Sequence, residues 1–140
     1  MVCFIDGDGC IFSFKEIARG WLGGQEIARR LAAGIQQRLG SKRCQIHARV
    51  FCNLQGVRYA LEKYGEPQAA AHLTSFVHGF NQSHGRFMMV DVGPGKELAD
   101  HKIRGNFLSS LNCLGCNRMQ HRWTGGRAEI FREDAGLFRG

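Results

Sequence analysis

The sequence predicts an α/β fold in which parallel strands alternate with helices. Three apolar segments of strand character occur along the chain, and segments with helical periodicity separate them. Helical crossovers of this kind join parallel strands, whose carboxyl ends then lie at one edge of the sheet. The first and third strands both end on an aspartate, Asp6 and Asp91. We therefore expect the two carboxylates at the same edge.

Length and composition favour one packed domain. The chain has 140 residues, a common size for a single domain, and 44% of them are hydrophobic. No apolar run reaches the roughly 18 to 20 residues of a membrane span. The beginning of the sequence also lacks the basic and apolar regions of a signal peptide. These features predict an intracellular protein, cytoplasmic or nuclear, without a membrane partner.

The charge balance points to a polyanionic partner. Nineteen Lys and Arg residues against twelve Asp and Glu residues give a formal net charge of +7. A positive chain with a few tight acidic clusters suits a metal-dependent phosphodiesterase, in which cationic side chains hold phosphates and carboxylates hold the metal. Nucleic acid is the expected partner.

The cysteines indicate a reducing compartment. Of six cysteines, Cys3 and Cys52 lie in or at the end of apolar strands, where free thiols behave as small buried hydrophobes. Cys113, Cys116 and His121 offer three zinc ligands. A single CxxC without a second pair is a weak signal for zinc.

The first element is a strand followed by a glycine-rich acidic turn. Val2 to Ile5 is apolar, and Asp6-Gly7-Asp8-Gly9 follows it. Carboxylates after a buried strand suggest a metal site, and the flanking glycines allow close approach of a ligand to the backbone. The alternative is an ordinary Asp-Gly turn.

A helix and a second strand come next. Ile27, Leu31, Ile35 and Leu39 recur every four residues, which predicts an amphipathic helix over residues 25–39 that Gly40 ends. Residues 44–51 alternate with period two and predict a strand.

Two more helices and a third strand complete the periodic part. A short helix is predicted over residues 56–65, and a longer one carries Leu73, Phe76, Val77 and Phe80. Residues 86–91 predict the third strand, with Met88 and Met89 assigned to the core. A Gly/Pro turn at 93–95 then leads into a helix that is expected to reach about Leu111.

The last predicted helix adds two further carboxylates. Glu97 and Asp100 are three residues apart and share one helical face. If they meet Asp6 and Asp91, four carboxylates converge, and such a group favours a divalent cation, Mg²⁺ or Mn²⁺. Alternatively, Glu97 and Asp100 interact favourably with the dipole at the start of this helix and pair with Lys96 or Arg104.

Several blocks together resemble the PIN-like (NYN-type) domain of fungal CCCH zinc-finger proteins. The resemblance covers residues 1–112 and implies a three-layer α/β/α sandwich with a central parallel sheet, a PIN-like and Rossmann-like fold of metal-dependent ribonucleases. It allows a homodimer. The blocks that carry it are Phe4 to Gly9, Arg49 to Gly56, Phe76 to Ser83, Val90 to Gly93 and Gly95 to Ile103.

The resemblance also implies roles for individual residues. Mg²⁺ or Mn²⁺ activates water in that superfamily, and catalysis here would depend on Asp6, Asp91 and Asp100. The implied metal ligands are Asp6, Asp8, Asp91, Glu97 and Asp100. The implied contacts to nucleic acid are Asn53, Lys96, Lys102 and Arg104.

The segment 113–140 departs from the family pattern. Such domains continue to a further core strand that ends near another aspartate, whereas this sequence becomes rich in Arg and Gly from Cys113 onward. Asp134, within Ile130 to Gly136, is a displaced candidate for that acid. We expect this segment to be disordered or an incomplete last strand.

Three functions remain open from the sequence. One is a metal-dependent nuclease that hydrolyses single-stranded RNA, and another is a PIN-like module that has lost catalysis and binds nucleic acid or protein. The third is a phosphatase, because Phe4 to Cys10 also resembles the motif of haloacid dehalogenases. Asp6 would then be the nucleophile and Asp8 the acid/base, with Cys10 in place of the usual Thr or Val.

Overall fold

A computed structural model of the chain describes residues 2–7, 12–41, 43, 45–95, 98, 101, 102 and 105. Strands and helices alternate within this part of the chain, as expected of a mixed α/β fold. The elements are β1 (Val2–Asp6), α1 (Phe14–Ala18), α2 (Trp21–Leu39), β2 (His47–Cys52), α3 (Leu54–Lys63), α4 (Pro67–Ser83) and β3 (Phe87–Asp91).

The strands described form one parallel sheet in the order β1-β2-β3. Asp6 pairs with Phe51, and Cys52 pairs with Asp91. The carboxyl ends of the strands therefore lie at one edge, which confirms the expected arrangement. We call this the carboxyl edge.

Helices α1, α2 and α4 pack against one face of the sheet. Alternate strand residues such as Ile5, Val50 and Met89 share a buried core with Ile27 of α2 and Phe76 of α4. The crossover from β1 to β2 and the crossover from β2 to β3 advance in the same direction across the sheet. Right-handed crossovers then place their helices on one face, as observed.

The opposite face of the sheet, which we call the outer face, carries a second and smaller apolar cluster. Phe4 and Phe51 are only 8% and 4% exposed, and Val2, Val90 and Val92 pack against them. Met88 also points to this face and is 49% exposed. Its assignment to the core was wrong, because strand alternation buries Met89 and turns Met88 outward. Met89 is buried as expected.

Backbone contacts through glycines hold the helical layer together. A Cβ on Gly24 of α2 would overlap the carbonyl oxygen of Phe76 and lie 2.6 Å from the nitrogen of Phe80. A Cβ on Gly79 of α4 would overlap the carbonyl of Trp21. Helices α2 and α4 thus touch backbone to backbone, at a separation that only glycine permits.

A buried carboxylate ties α1 to α2. Glu16 is 5% exposed, and its oxygens accept from Arg19 Nη1 at 2.6 Å and from Arg30 Nη2 at 3.4 Å. Arg30 also donates to Glu26 at 2.8 Å. The arginines compensate the charge of the buried carboxylate, which would otherwise be costly to remove from water.

The predicted elements are mostly present, with shifted boundaries. Helix α2 begins at Trp21 rather than Gln25, and β2 begins at His47 rather than Cys44. Helix α1 was not predicted. Cys3 and Cys52 are buried as reduced thiols, as expected. Among the described helices, none is long and apolar enough to cross a membrane.

The expected helix that reaches Leu111 lies largely outside the described residues. The divergent segment 113–140 lies wholly outside them, together with Cys113, Cys116 and His121. The domain division at residue 112 therefore stays a prediction.

We predict that Gly24→Ala destabilises the protein by about 2 kcal/mol, because the added methyl group forces α2 away from α4. This loss exceeds the gain of about 1 kcal/mol that alanine brings in a helix. The free energy of unfolding in urea measures the effect. Gly85→Ala is the matched control, since a Cβ there meets nothing within 4 Å. Equal stability of the two variants would contradict the backbone contact.

Candidate functional site at the carboxyl edge

Polar residues follow each of the three strands at the carboxyl edge. Asp6 ends β1, Asn53 follows β2 and Asp91 ends β3. The sequence predicted that Asp6 and Asp91 share one edge, and the parallel register places them there, with Asn53 after the strand between them. Their individual contacts differ, however, and determine what each can do.

Asp6 stands at the end of β1 and is partly exposed. The chain stays in contact with β2 just beyond it, because the N–H of Gly7 donates to the carbonyl of Phe51 at 2.7 Å. A Cβ on Gly7 would lie 2.7 Å from Cys52 Cβ and 2.9 Å from Val50 Cγ1. Close packing on β2 therefore explains the glycine at position 7, without reference to a ligand.

Asn53 caps the helix that follows β2. Its backbone is extended, and its side-chain oxygen accepts from the N–H of Gly56 at 3.0 Å. Asparagine is a favoured N-cap because its oxygen satisfies a donor that the helix leaves unpaired. Gly56 leaves room for the contact, since a Cβ there would lie 2.8 Å from the amide nitrogen of Asn53. The side-chain oxygen of Asn53 thus has a structural role as the N-cap of α3.

Asp91 joins the end of β3 to the start of α3. Its Oδ1 accepts from the N–H of Leu54 at 3.2 Å and from the N–H of Gly93 at 3.0 Å. The first bond spans two neighbouring strand ends, and the second closes the turn after β3. The carboxylate therefore has a structural role in addition to the predicted metal ligation, which stays a prediction.

Asp6 and Asp91 lie on either side of the end of β2. Two strand spacings and one residue along the strand separate their Cα atoms by roughly 10 Å. Strand alternation places Asp6 with Phe4 on the outer face and Asp91 with Met89 on the helical face. Within the part of the chain that the structure describes, no group of three His, Cys, Asp or Glu side chains is placed to hold a metal ion.

Most of the other predicted site residues lie outside the part of the chain that the structure describes. Lys102 is described and exposed. The remaining candidates fall outside the described residues and stay predictions: Asp8, Lys96, Glu97, Asp100, Arg104 and Asp134.

The structural roles of Asn53 and Asp91 were missed by the sequence-based predictions. An asparagine directly before a helical segment is a recognised N-cap signal, so the role of Asn53 was accessible from local sequence. The bond from Leu54 to Asp91 joins residues 37 positions apart. No local pattern marks such a contact, because it depends on how the strands pair.

The comparisons with known proteins identify a family but no function. The model of a family described as "Domain of unknown function (DUF7923)" matches residues 1–120. No curated protein and no solved structure matches the chain. The function must therefore be argued from the residues of this chain.

We predict that Asp91→Ala destabilises the protein by about 1 kcal/mol, because the N–H groups of Leu54 and Gly93 lose their acceptor. Asp91→Asn is the matched control. Its amide oxygen can accept both bonds, so stability should stay within about 0.5 kcal/mol of the wild type. Urea unfolding measures both values. A loss with asparagine equal to that with alanine would show that charge, rather than hydrogen bonding, is what the fold requires.

Proposed function

The chain belongs to the DUF7923 family, and we propose that it is a PIN-like, metal-dependent nuclease domain that hydrolyses phosphodiesters in single-stranded RNA. The observation that carries this proposal is the carboxyl edge itself. There, a parallel sheet gathers Asp6, Asn53 and Asp91 in a chain of net charge +7. Ligands of open α/β sheets bind outside the carboxyl ends of the strands.

The PIN-like three-layer sandwich is part of the proposal. Its support is the distribution of apolar side chains over both faces of the sheet. Ile5 and Val50 pack under the helices, whereas Phe4 and Phe51 are buried on the outer face. Parallel sheets are typically covered on both faces. A further helical layer over Phe4 and Phe51 that leaves the exposed amino ends of β2 and β3 uncovered would complete such a sandwich.

Asp6 is the principal metal ligand in this proposal, and it is partly exposed at the end of β1. Oδ1 of Asp91 accepts two backbone N–H groups. Mg²⁺ and Mn²⁺ prefer oxygen ligands, which Asp8, Glu97 and Asp100 would supply beside Asp6. When bound, such a cation supplies Lewis-acid activation of water and of the phosphodiester.

The remaining residues would position the site and the substrate. Asn53 fixes the start of α3, and Asp91 fixes that start against the end of β3. These bonds hold the carboxyl edge in one arrangement. Lys96, Lys102 and Arg104 would contact the phosphates, and their charges suit the polyanionic substrate.

The test is cleavage of a labelled single-stranded RNA in Mn²⁺, in Mg²⁺ and in EDTA. We expect cleavage with either metal, none in EDTA, and a loss of at least about 100-fold in Asp6→Asn and Asp100→Asn, because a neutral amide is a much poorer ligand for a hard cation. Glu62→Gln is the matched control. It removes one negative charge from the exposed surface of α3 and should cleave like the wild type.

Two results would overturn the nuclease proposal. One is cleavage that persists in EDTA or in Asp6→Asn, which would indicate a contaminating or metal-independent activity. The other is hydrolysis of a phosphate monoester with RNA left intact, which would support the phosphatase, with Asp6 as its nucleophile.

A catalytically inactive binding module is the second candidate. The observation that favours it is the structural use of two edge residues, since Asn53 caps α3 and Asp91 bonds to Leu54 and Gly93. Such an edge can persist for stability after catalysis is lost. RNA binding without cleavage, unchanged by metal or by Asp6→Asn, would select this function.

A further inference from the structure

A group of cationic side chains lies at the other end of the sheet, at the amino ends of β2 and β3. Arg49 and Arg86 are exposed there, and His47 and His84 are partly exposed. We call these four residues the basic patch. The backbone joins them closely, because the N–H of Ala48 donates to the carbonyl of Arg86 at 3.0 Å.

Three residues of the basic patch, His47, Arg49 and Arg86, belong to the outer face of the sheet. The ring of His84 packs instead on Phe87, which faces the helices. Buried Ala48 and Phe87 alternate with His47, Arg49 and Met88, which therefore point away from the helices. Arg86 precedes Phe87 in the same alternation. His47, Arg49, Arg86 and Met88 thus lie on the outer face and are partly or fully exposed. Phe4 is buried on β1 opposite Arg49, and Phe51 is buried farther along β2.

The electrostatic environment of the patch suits an anion. Burial lowers the pKa of His47, and the positive charges of Arg86, the amino terminus, Arg49 and His84 lower it further. His47 is therefore neutral at neutral pH, and its protonation at lower pH adds a charge that Arg86 and Arg49 repel, so stability falls as the pH decreases. A bound anion would relieve the repulsion, which makes the patch electrostatically complementary to phosphate.

Uncharged contacts favour nucleic acid over other polyanions. Met88 is 49% exposed and pairs with Arg49 across the strands. The guanidinium planes of Arg49 and Arg86 can stack on unpaired bases while they contact phosphates, and Met88 offers the bases an apolar surface. An acidic peptide would interact only with the charged side chains of this surface.

We infer that the basic patch binds single-stranded RNA, with Arg86 and His47 contacting phosphates and with Met88 against the bases. His47 and Arg86 are separate from the carboxyl edge, since His47 pairs with Val2 and the length of β1 places it roughly 14 Å from Asp6; Arg49 lies between the two regions. The inference goes beyond the proposed function, because binding at the patch requires neither metal nor cleavage. RNA held there would extend along the outer face to reach the edge proposed to cut it.

The test is the affinity of the full chain for a fluorescent oligouridylate in EDTA, where metal-dependent cleavage cannot occur. Loss of one phosphate contact in Arg86→Gln should weaken binding about fourfold at physiological salt and reduce the slope of log affinity against log salt by about 0.7. Arg86→Lys should retain most of the affinity. Arg58→Gln is the matched control, because Arg58 is an exposed arginine on α3 that donates to Thr74.

Several outcomes would overturn the inference. They are equal weakening by Arg58→Gln and Arg86→Gln, absence of binding, and polyglutamate or anionic vesicles that compete as well as RNA does. Weakening by Asp6→Asn in EDTA to the same extent would place the RNA at the carboxyl edge instead. An increase in the pKa of His47 on addition of the oligouridylate, measured by NMR, would support the inference, and an unchanged pKa would contradict it.

Discussion

The backbone contact between α2 and α4 is the constraint on which the rest of the structure depends. Gly24 and Gly79 allow the two helices to approach more closely than side chains permit. Gly23 adds a similar contact with α1, where a Cβ would overlap the carbonyl of Glu16. The helices then form one layer, and the helical face of the sheet packs on this layer. Because that face is fixed, the alternation of every strand residue between the two faces is fixed as well.

This alternation determines which chemistry each region of the sheet can offer. At the carboxyl edge it directs Asp6 and Asp91 to opposite faces, so the two carboxylates have different neighbours and different roles. Toward the amino end of β2, strand alternation directs His47 and Arg49 to the outer face, away from the helices. The sheet therefore separates an acidic edge from a basic one. A polyanion would be attracted to the basic edge and would need a cation to approach the acidic one.

The regular parts of the fold could be predicted because local pattern encodes them. The periodicity of Ile27, Leu31 and Ile35 indicated α2, and the alternation in β2 indicated a strand. The start of α2 could not be predicted, since Gly23 and Gly24 disfavour a helix by propensity and are retained for their contacts with neighbouring elements. The five-residue helix α1 is too short to show a period.

The candidate site could be predicted in position but not in detail. Aspartates at the ends of two apolar strands indicated one shared edge, which the parallel register confirms for Asp6 and Asp91. The contacts of Asp91 depend on the pairing of β2 with β3, and a sequence without structure does not contain that information. Met88 shows the same difficulty, because strand alternation shows that adjacent residues differ in face but not which one is buried.

The proposed function requires that Asp6 make the carboxyl edge a site for a divalent cation. Paramagnetic broadening by Mn²⁺ of backbone amide signals in NMR tests it without any requirement for catalysis. We expect the signals of Asp6 and Gly7 to broaden first, while those of His47 and Arg86 persist. Asp6→Asn should abolish this selective broadening. Uniform broadening, or the same selective pattern in Asp6→Asn, would contradict the claim.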